Sequence, residues 1–450
     1  EILAGRLKAG ARLPATRDLA ARYSLSRGTI VSAFDQLTAE GYIEGSVGSG
    51  TYVNEMLPDE LFAVPLDKDA PPVCPARRRI APFAKTLAEP APFDPRRPRA
   101  FRSDLPALDL FPMPLWTQLT ARRQRRAPFS LLLGCDTLGY APLRSAIADY
   151  LTSSRGVRCT AGQIAIVSGV QEALDLAARV LLQRGDRVAI EDPGYRGAAE
   201  IFESVGARVT RVPVDDEGIG LRLGKARLVY VTPAHQFPLG TTMSLCRRLA
   251  LLEWARDHGA MIFEDDYDSE YRYSGRPVPA LQGLDGNGLV LFAGTFSKVM
   301  FPSLRLAYLV VPPDLVPRFA AAIALTRRHA PVFDQAILCD FIEQGHFARH
   351  LRRMRQIYGE RLTHLMECAR KRLDGFLEIS PVEAGLQTVG WLPPGVDADV
   401  VAKKACARNV DVVPLSRFSR RRMARGGLQL GFAAVDESEI SRGVRELAAL

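Results

Sequence analysis

The sequence has no run of about 18 apolar residues, and no basic segment followed by an apolar one opens its amino end. Neither a membrane-spanning helix nor a secretory signal is expected, so the expected location is cytoplasmic, with no membrane partner. Cysteine is sparse: Cys74, Cys135, Cys159, Cys246, Cys339, Cys368 and Cys406 are scattered and never stand as C-x-x-C. That spacing argues against a disulfide framework or a zinc site and in favour of free thiols. A large excess of one charge is also missing, since 59 Lys+Arg against 50 Asp+Glu leave +9. Such a balance permits a polyanionic partner without requiring one. What is present, 47% hydrophobic and 24% charged residues in a chain of 450, excludes disorder throughout. At roughly 150 residues per domain, two or three domains are expected.

Composition changes sharply near residue 58. From Pro58 to Pro98 there are ten prolines in 41 residues, with Arg77-Arg78-Arg79 and Arg96-Arg97. A stretch without an apolar period cannot build a core, so residues 58–100 read as an extended linker. From residue 101 to 450, helical and strand-like segments alternate: APLRSAIADYL, QIAIV, Glu172 to Leu182, RVAI, Ala207 to Val212, LVYVT, MIF and LVLFA. This alternation predicts an α/β unit around a mostly parallel sheet, with its ligand at the carboxyl ends of the strands.

Residues 1–57 read differently. Asp18 to Tyr23 has helical spacing, Ser24-Leu25 is a turn, and Ser26 stands as a cap for a second helix over Arg27 to Glu40. Leu19, Ala20, Tyr23, Leu25, Ile30, Ala33, Phe34 and Leu37 are the expected apolar face of the pair. Two short helices joined by a tight turn suit a major-groove reader, whose second helix enters the groove amino end first; a plain helical hairpin has the same pattern. Residues 41–44 and 48–53 form an expected hairpin, its glycines permitting a sharp wing. The six basic and six acidic residues over 1–57 mean that affinity for a polyanion must come from a local patch and from dimerisation.

The string LPATRDLAARYSLSRGTIVSAFDQLTAEGYIEGSVGSGTYV closely resembles the winged-helix domain of the GntR family of bacterial transcription regulators. The resemblance implies contact with double-stranded operator DNA by Arg17, by Ser26, Arg27 and Thr29 on the recognition helix, and by Gly48 at the wing. It also implies that the chain starts inside the first helix of that domain, so that leading residues are expected to be missing.

In the large unit, Gly294-Thr-Phe-Ser-Lys-Val-Met-Phe-Pro-Ser-Leu-Arg305 follows a strand-like run. Lys298 beside hydroxyls, with Arg305 seven residues on, combines an amine able to form a Schiff base with donors for a phosphate. Taken alone, a Ser-Lys pair in a loop is a surface lysine. Upstream, Phe263-Glu-Asp-Asp-Tyr-Asp268 places carboxylates at a strand end, where one can hold a pyridinium nitrogen; an acidic turn is the plainer reading. Val167-Ser-Gly-Val-Gln-Glu172 puts a glycine turn at a helix start, where free N–H groups favour phosphate.

Together these motifs resemble the fold-type I aminotransferases that use pyridoxal 5′-phosphate. The resemblance implies a Schiff base with that cofactor on Lys298, Asp265 against its ring nitrogen, Tyr267 against its phenolic oxygen and Tyr195 stacked on its ring. Val170, Gln171, Thr295, Ser297 and Arg305 are similar to the phosphate cup. In Thr232-Pro-Ala-His-Gln-Phe-Pro-Leu-Gly240, Phe237 replaces a usual asparagine, so His235 or Gln236 is expected to face the cofactor instead.

A GntR-like winged helix fused to such a domain resembles the MocR family of regulators, which implies a head-to-tail homodimer. Two departures bear on activity. Gln429, in Leu428-Gln-Leu-Gly-Phe432, stands where relatives bind the substrate carboxylate with arginine, and an amide lacks the bidentate cationic fork. Gly134 stands where relatives place a tyrosine that reaches the partner's phosphate. Arg417, Arg420, Arg421, Arg422 and Arg425, near Gln429, are candidates to substitute for the arginine it replaces, and a basic surface loop is the plainer reading. Both departures argue against efficient transamination, so physiological turnover is not expected. The leading expectation is a regulator that senses pyridoxal phosphate, alone or joined to a small amine or amino-acid effector, through Lys298. The alternatives are an active aminotransferase with a fused DNA-binding module, and a scaffold without cofactor.

Overall fold

Ser26 organises the amino-terminal unit. In the structure, a computed structural model that describes residues 1–46, 49–58, 79, 93–275 and 278–450, its Oγ accepts a hydrogen bond from the Thr29 N–H at 3.1 Å. That bond starts helix α2 (Arg27–Ala39), while α1 (Thr16–Tyr23) ends at Ser24 in the left-handed region, φ 55°. Strands β1 (Ile43–Ser46) and β2 (Gly50–Val53) pair antiparallel, Ile43 opposite Val53, and complete the winged helix. Ala20, Ile30, Ile43 and Val53 are its buried centre. Tyr23, Leu25 and Ala33, expected on the apolar face, are exposed instead. The Arg22 guanidinium lies over the Tyr23 ring, 5.8 Å from its centroid, which partners that ring at the surface. Residues 1–7 form turns rather than part of a helix. Gly48, Cys74 and most of 58–100 lie outside the described residues.

The chain divides by contact into Glu1–Leu87 and Ala88–Leu450. The second unit is α/β. Its eight-stranded sheet runs in the order β3 (Ile164–Val167), β10 (Ala307–Val310), β9 (Val290–Thr295), β8 (Met261–Asp266), β7 (Leu228–Val231), β4 (Arg187–Asp192), β5 (Arg208–Asp215), β6 (Gly218–Ile219). From β9 to β5 neighbouring strands are parallel; β10 is antiparallel to both its neighbours, and β6 to β5. Strands β3, β7, β9 and β10 are buried along their whole length, which is why they read as near-continuous apolar runs. Helices such as Val170–Leu181 and Leu245–His258 pack on the faces of this sheet.

A smaller four-stranded antiparallel sheet, β11 (Glu378–Ile379), β12 (Gln387–Trp391), β14 (Gly427–Gly431) and β13 (Val413–Pro414), completes the unit. Residues 99–104 are stitched onto it. Arg99 pairs with Asp411 at 2.6 Å, the Ala100 N–H donates to Glu439 at 2.9 Å, and Phe101 bridges to Gly431. Among the described residues no helix is long and apolar enough to cross a membrane, and no cluster of metal-ligating side chains is present.

Candidate functional site

Strands β4, β7, β8 and β9 end around one cavity of about 290 Å³. All nine residues implied for the cofactor line it: Val170, Gln171 and Tyr195; Asp265 and Tyr267; Thr295, Ser297, Lys298 and Arg305. Two residues without a sequence signal join them, Asp104 and Tyr230.

The three consecutive acids of β8 diverge. Glu264 turns away to accept the N–H groups of Leu281 and Gln282, both at 2.8 Å, and Asp266 pairs with buried Arg155 at 2.9 Å. Asp265 alone lines the cavity, because side chains alternate along a strand. The Tyr230 hydroxyl donates to Asp265 Oδ2 at 2.7 Å, while Oδ1 is buried with no partner among the described residues. Burial pushes the Asp265 carboxyl up to about 7, against the Tyr230 hydrogen bond and the Lys298 charge. A carboxylate in this position gains most from an N–H donor or a cation.

At the other end, Val170 and Gln171 begin a helix after Gly169, so their N–H groups have no intrahelical acceptor. The Arg305 guanidinium lies beside Gly169, where an added Cβ would meet Nη2 at 3.5 Å, and it has no ion-pair partner among the described residues. A free cation beside a helix start is an anion site. Between the two ends, Lys298 donates from Nζ to the Asp104 carbonyl oxygen at 2.8 Å and lies 3.3 Å from its Oδ1. Burial pushes the Tyr195 hydroxyl up to about 12, so its ring meets the cavity uncharged. This arrangement suits a flat ligand with an N–H at one end, an anion at the other and an aldehyde near Lys298.

The expectation for Phe237 is corrected. Phe237 itself lines the cavity, and neither His235 nor Gln236 does. Gln236 is buried, donating to the carbonyls of Pro193 at 2.9 Å and Phe237 at 2.6 Å. His235 is held by Asp268 at 3.0 Å and reaches the site only through the Tyr267 hydroxyl, 3.0 Å from its Nδ1. Tyr267 is thereby oriented by a buried histidine and carboxylate.

Gln429 is wholly buried on β14, and both its Nε2 and its Oε1 lack partners among the described residues. Each such group costs about 1–3 kcal/mol. None of the five late arginines lines the Lys298 cavity. Arg425 is tied to the Leu392 carbonyl and to Glu378, both at 2.7 Å, and Arg421 lies 3.8 Å from Asp192. Gly134 has φ +115°, a backbone conformation that disfavours any side chain, and a Cβ there would come within 2.6 Å of His329 Nε2, so a tyrosine would require both the backbone and the His329 ring to shift.

On the winged helix, Arg17 is exposed near the start of α1, and Ser26, Arg27 and Thr29 are exposed around the start of α2. Ser26 Oγ also lies 2.8 Å from Thr29 Oγ1, so the two hydroxyls form one polar tip beside Arg27.

A winged helix carried on the same chain as a fold-type I aminotransferase domain defines the class: a DNA-binding regulator built on an aminotransferase scaffold. The profile of the gntR family of bacterial regulatory proteins matches residues 1–53, and that of aminotransferase class I and II matches 110–447. The probable rhizopine catabolism regulatory protein MocR of Rhizobium meliloti is 39% identical over 99% of this chain and 90% of its own. The pyridoxine biosynthesis transcriptional regulator PdxR of Corynebacterium glutamicum is 29% identical over 99% of this chain and 92% of its own. Among solved structures, the α-aminoadipate aminotransferase LysN of Thermus thermophilus, complexed with N-(5′-phosphopyridoxyl)-L-leucine, is 29% identical. It superimposes with a TM-score of 0.71, covering 78% of this chain and 90% of that one. The chain belongs to the MocR family of GntR-type transcription regulators.

Proposed function

We propose that this protein is a cytoplasmic transcription regulator that binds operator DNA through residues 1–57 and pyridoxal 5′-phosphate through residues 101–450, with 58–100 as the tether. The observation that carries the reading is the cavity that gathers Lys298, unsatisfied Asp265 and unpaired Arg305 on a chain that also bears the exposed Ser26-Arg27-Thr29 tip. When bound, the cofactor supplies an aldehyde that joins reversibly to primary amines and a ring that draws electrons. Lys298 provides the anchoring amine. Asp265 accepts from the ring N–H and is itself held by Tyr230; Tyr267, held by His235, donates to the phenolic oxygen. Tyr195 covers the ring. Arg305, Thr295, Ser297 and the N–H groups of Val170 and Gln171 hold the phosphate. An effector that binds two arrangements of the chain with different affinity shifts their populations, and the tether lets the winged helices re-space.

Phe129, Leu132 and Leu133, exposed at 74%, 63% and 75% on one short helix, support assembly into a homodimer, since exposed apolar clusters mark interfaces. Buried Gln429 and side-chain-free Gly134 favour sensing over turnover. The test is the visible absorption of the purified protein with pyridoxal phosphate, alongside operator binding, for the parent and Lys298→Ala. A band in the parent, lost in the variant together with the response of DNA binding to cofactor, supports the proposal. No band in either protein leaves a scaffold regulator and sinks it.

A further inference from the structure

The Tyr267 hydroxyl has one hydrogen-bond neighbour among the described residues, His235 Nδ1 at 3.0 Å. Two arrangements fit that contact. Either the hydroxyl donates to Nδ1 and its proton points away from the cavity, or Nδ1 carries the hydrogen, the hydroxyl oxygen accepts and the tyrosine proton is free.

Asp268 decides between them. Its Oδ1 and Oδ2 lie 3.0 and 3.1 Å from the same Nδ1, and an ionised carboxylate only accepts. A bare Nδ1 would set its lone pair against both oxygens, and with the His235 and Asp268 side chains 2% and 1% exposed little water screens that repulsion. Nδ1 therefore carries a hydrogen and cannot accept from Tyr267. The carboxylate is fixed in turn, since Oδ2 accepts the Leu386 N–H at 3.1 Å, just before β12. Two glycines fix the ring: a Cβ at Gly385 would collide with its Cε1 and Nδ1, and one at Gly240 would come within 3.2 Å of Nε2.

The surroundings favour a functional role over packing. Nε2 is buried with no partner among the described residues, a defect that an apolar side chain would not have. Phe237 stands edge-on to Tyr267, ring centroids 6.0 Å apart, and brings no donor, while Thr232 gives its hydroxyl proton to Glu191 at 2.6 Å. Burial raises the Tyr267 hydroxyl well above its usual range, so it keeps its proton. The charged groups around it are the carboxylates of Asp268, Asp104, Asp265 and Glu191, with Lys298 and Arg305 in the cavity lining.

We propose that His235 and Asp268 are a positioning pair that holds the Tyr267 hydroxyl as a donor into the cavity, toward the phenolic oxygen of bound pyridoxal phosphate. The inference rests on the cofactor reading given above and adds where the tyrosine proton points and what keeps it there. Neither residue lines the cavity, so both act through Tyr267. With the cofactor joined to an amine, its phenolic oxygen and the joined nitrogen share one titrating proton. A donor aimed at that oxygen competes with the proton and lowers the pH at which the visible band changes.

The test is the pH midpoint of that band in the full chain loaded with pyridoxal phosphate. Asp268→Asn, His235→Leu and His235→Asn are each measured alone and combined with Tyr267→Phe. Tyr267→Phe alone is expected to raise the midpoint by about one unit, the effect of losing a hydrogen bond to a charged oxygen. Asp268→Asn frees Nδ1 to accept, and His235→Leu removes the ring. With Tyr267 present, each is expected to move the midpoint upward by about half a unit or more relative to its effect in the Tyr267→Phe background. Loss of the Asp268 charge acts alike in both backgrounds and cancels in that comparison. His235→Asn keeps an N–H near the Nδ1 position and is expected to stay closer to the parent than His235→Leu. Equal shifts in the two backgrounds overturn the proposal, whatever the melting temperatures do. If His235→Leu loses its melting transition, the Asp268→Asn pair decides. A parent without a band, or a midpoint indifferent to Tyr267→Phe, sinks the cofactor reading first and the proposal with it, a result distinct from equal shifts.

Discussion

Lys298 and Asp104 lie 194 positions apart and meet twice: Nζ donates to the Asp104 carbonyl oxygen at 2.8 Å and pairs with its carboxylate at 3.3 Å. Asp104 holds a left-handed backbone, φ 65°, and belongs to the segment pressed against Gly431. Gly431→Ala therefore has to displace residues 102–104, and a misfit of this kind in a packed wall costs about 1–3 kcal/mol. The expected outcome is a lower melting temperature together with weaker retention of pyridoxal phosphate. A melt and a cofactor titration check it, and an unchanged titration would detach Asp104 from the site.

Arg305→Ala removes the free cation beside the helix that starts at Val170. Hydrogen bonds to charged groups contribute about 1.5–3 kcal/mol, so cofactor affinity is expected to fall about tenfold to a hundredfold. At saturating cofactor the visible band should persist, because Lys298 is untouched. Spectral titration separates affinity from band formation.

Glu191 accepts from the Thr232 hydroxyl at 2.6 Å and from its N–H at 3.2 Å, yet burial still raises its carboxyl from 4.5 to about 7. The folded state therefore binds this proton more tightly than the unfolded chain. The resulting stability is present in full below pH 4.5 and is lost as pH rises through 7. Glu191→Gln keeps an acceptor without the charge. It is expected to match the parent near pH 5 and to melt higher near pH 8, by on the order of 3 kcal/mol at most. Melting curves of the cofactor-free proteins across that range test the sign.

Ser26 has two proposed jobs, capping α2 and contacting DNA, and two substitutions separate them. Ser26→Ala loses the bond to the Thr29 N–H and is expected to destabilise the amino-terminal unit by about 1 kcal/mol. Ser26→Asp keeps a cap but sets a negative charge among phosphates, so stability should hold while operator affinity falls. Denaturant melts and gel-shift titrations give the two readouts.

Arg27→Ala is expected to weaken operator binding about tenfold and to lower the salt dependence by about one phosphate contact, leaving cofactor binding unchanged. Equal affinity for parent and variant would remove Arg27 from the interface.

Much of this molecule is local in origin. The cap at Ser26, the apolar strands and the glycine-started helix at Val170 follow from neighbouring residues, and the contiguous motif from Gly294 to Arg305 carries four of the cavity residues besides Lys298. Legibility ended where partners are distant in the chain. Nothing near Asp104 marks it, since it follows a proline- and arginine-rich stretch and gains its place only when residues 99–104 are stitched to the small sheet. Tyr230 looked like one more apolar strand residue until β7 paired with β8 and its hydroxyl met Asp265. His235 and Gln236 were placed at the site by position, but their bonds to Asp268 and to backbone carbonyls turn them away, because buried polar groups go where their hydrogen bonds are. The family and the two kinds of folded unit are legible in the residue string, which also singles out Lys298 as the candidate anchor. Which of the three acids of β8 faces the cavity, and that Asp104 holds Lys298, emerge only in the folded chain, since both depend on register and long-range packing.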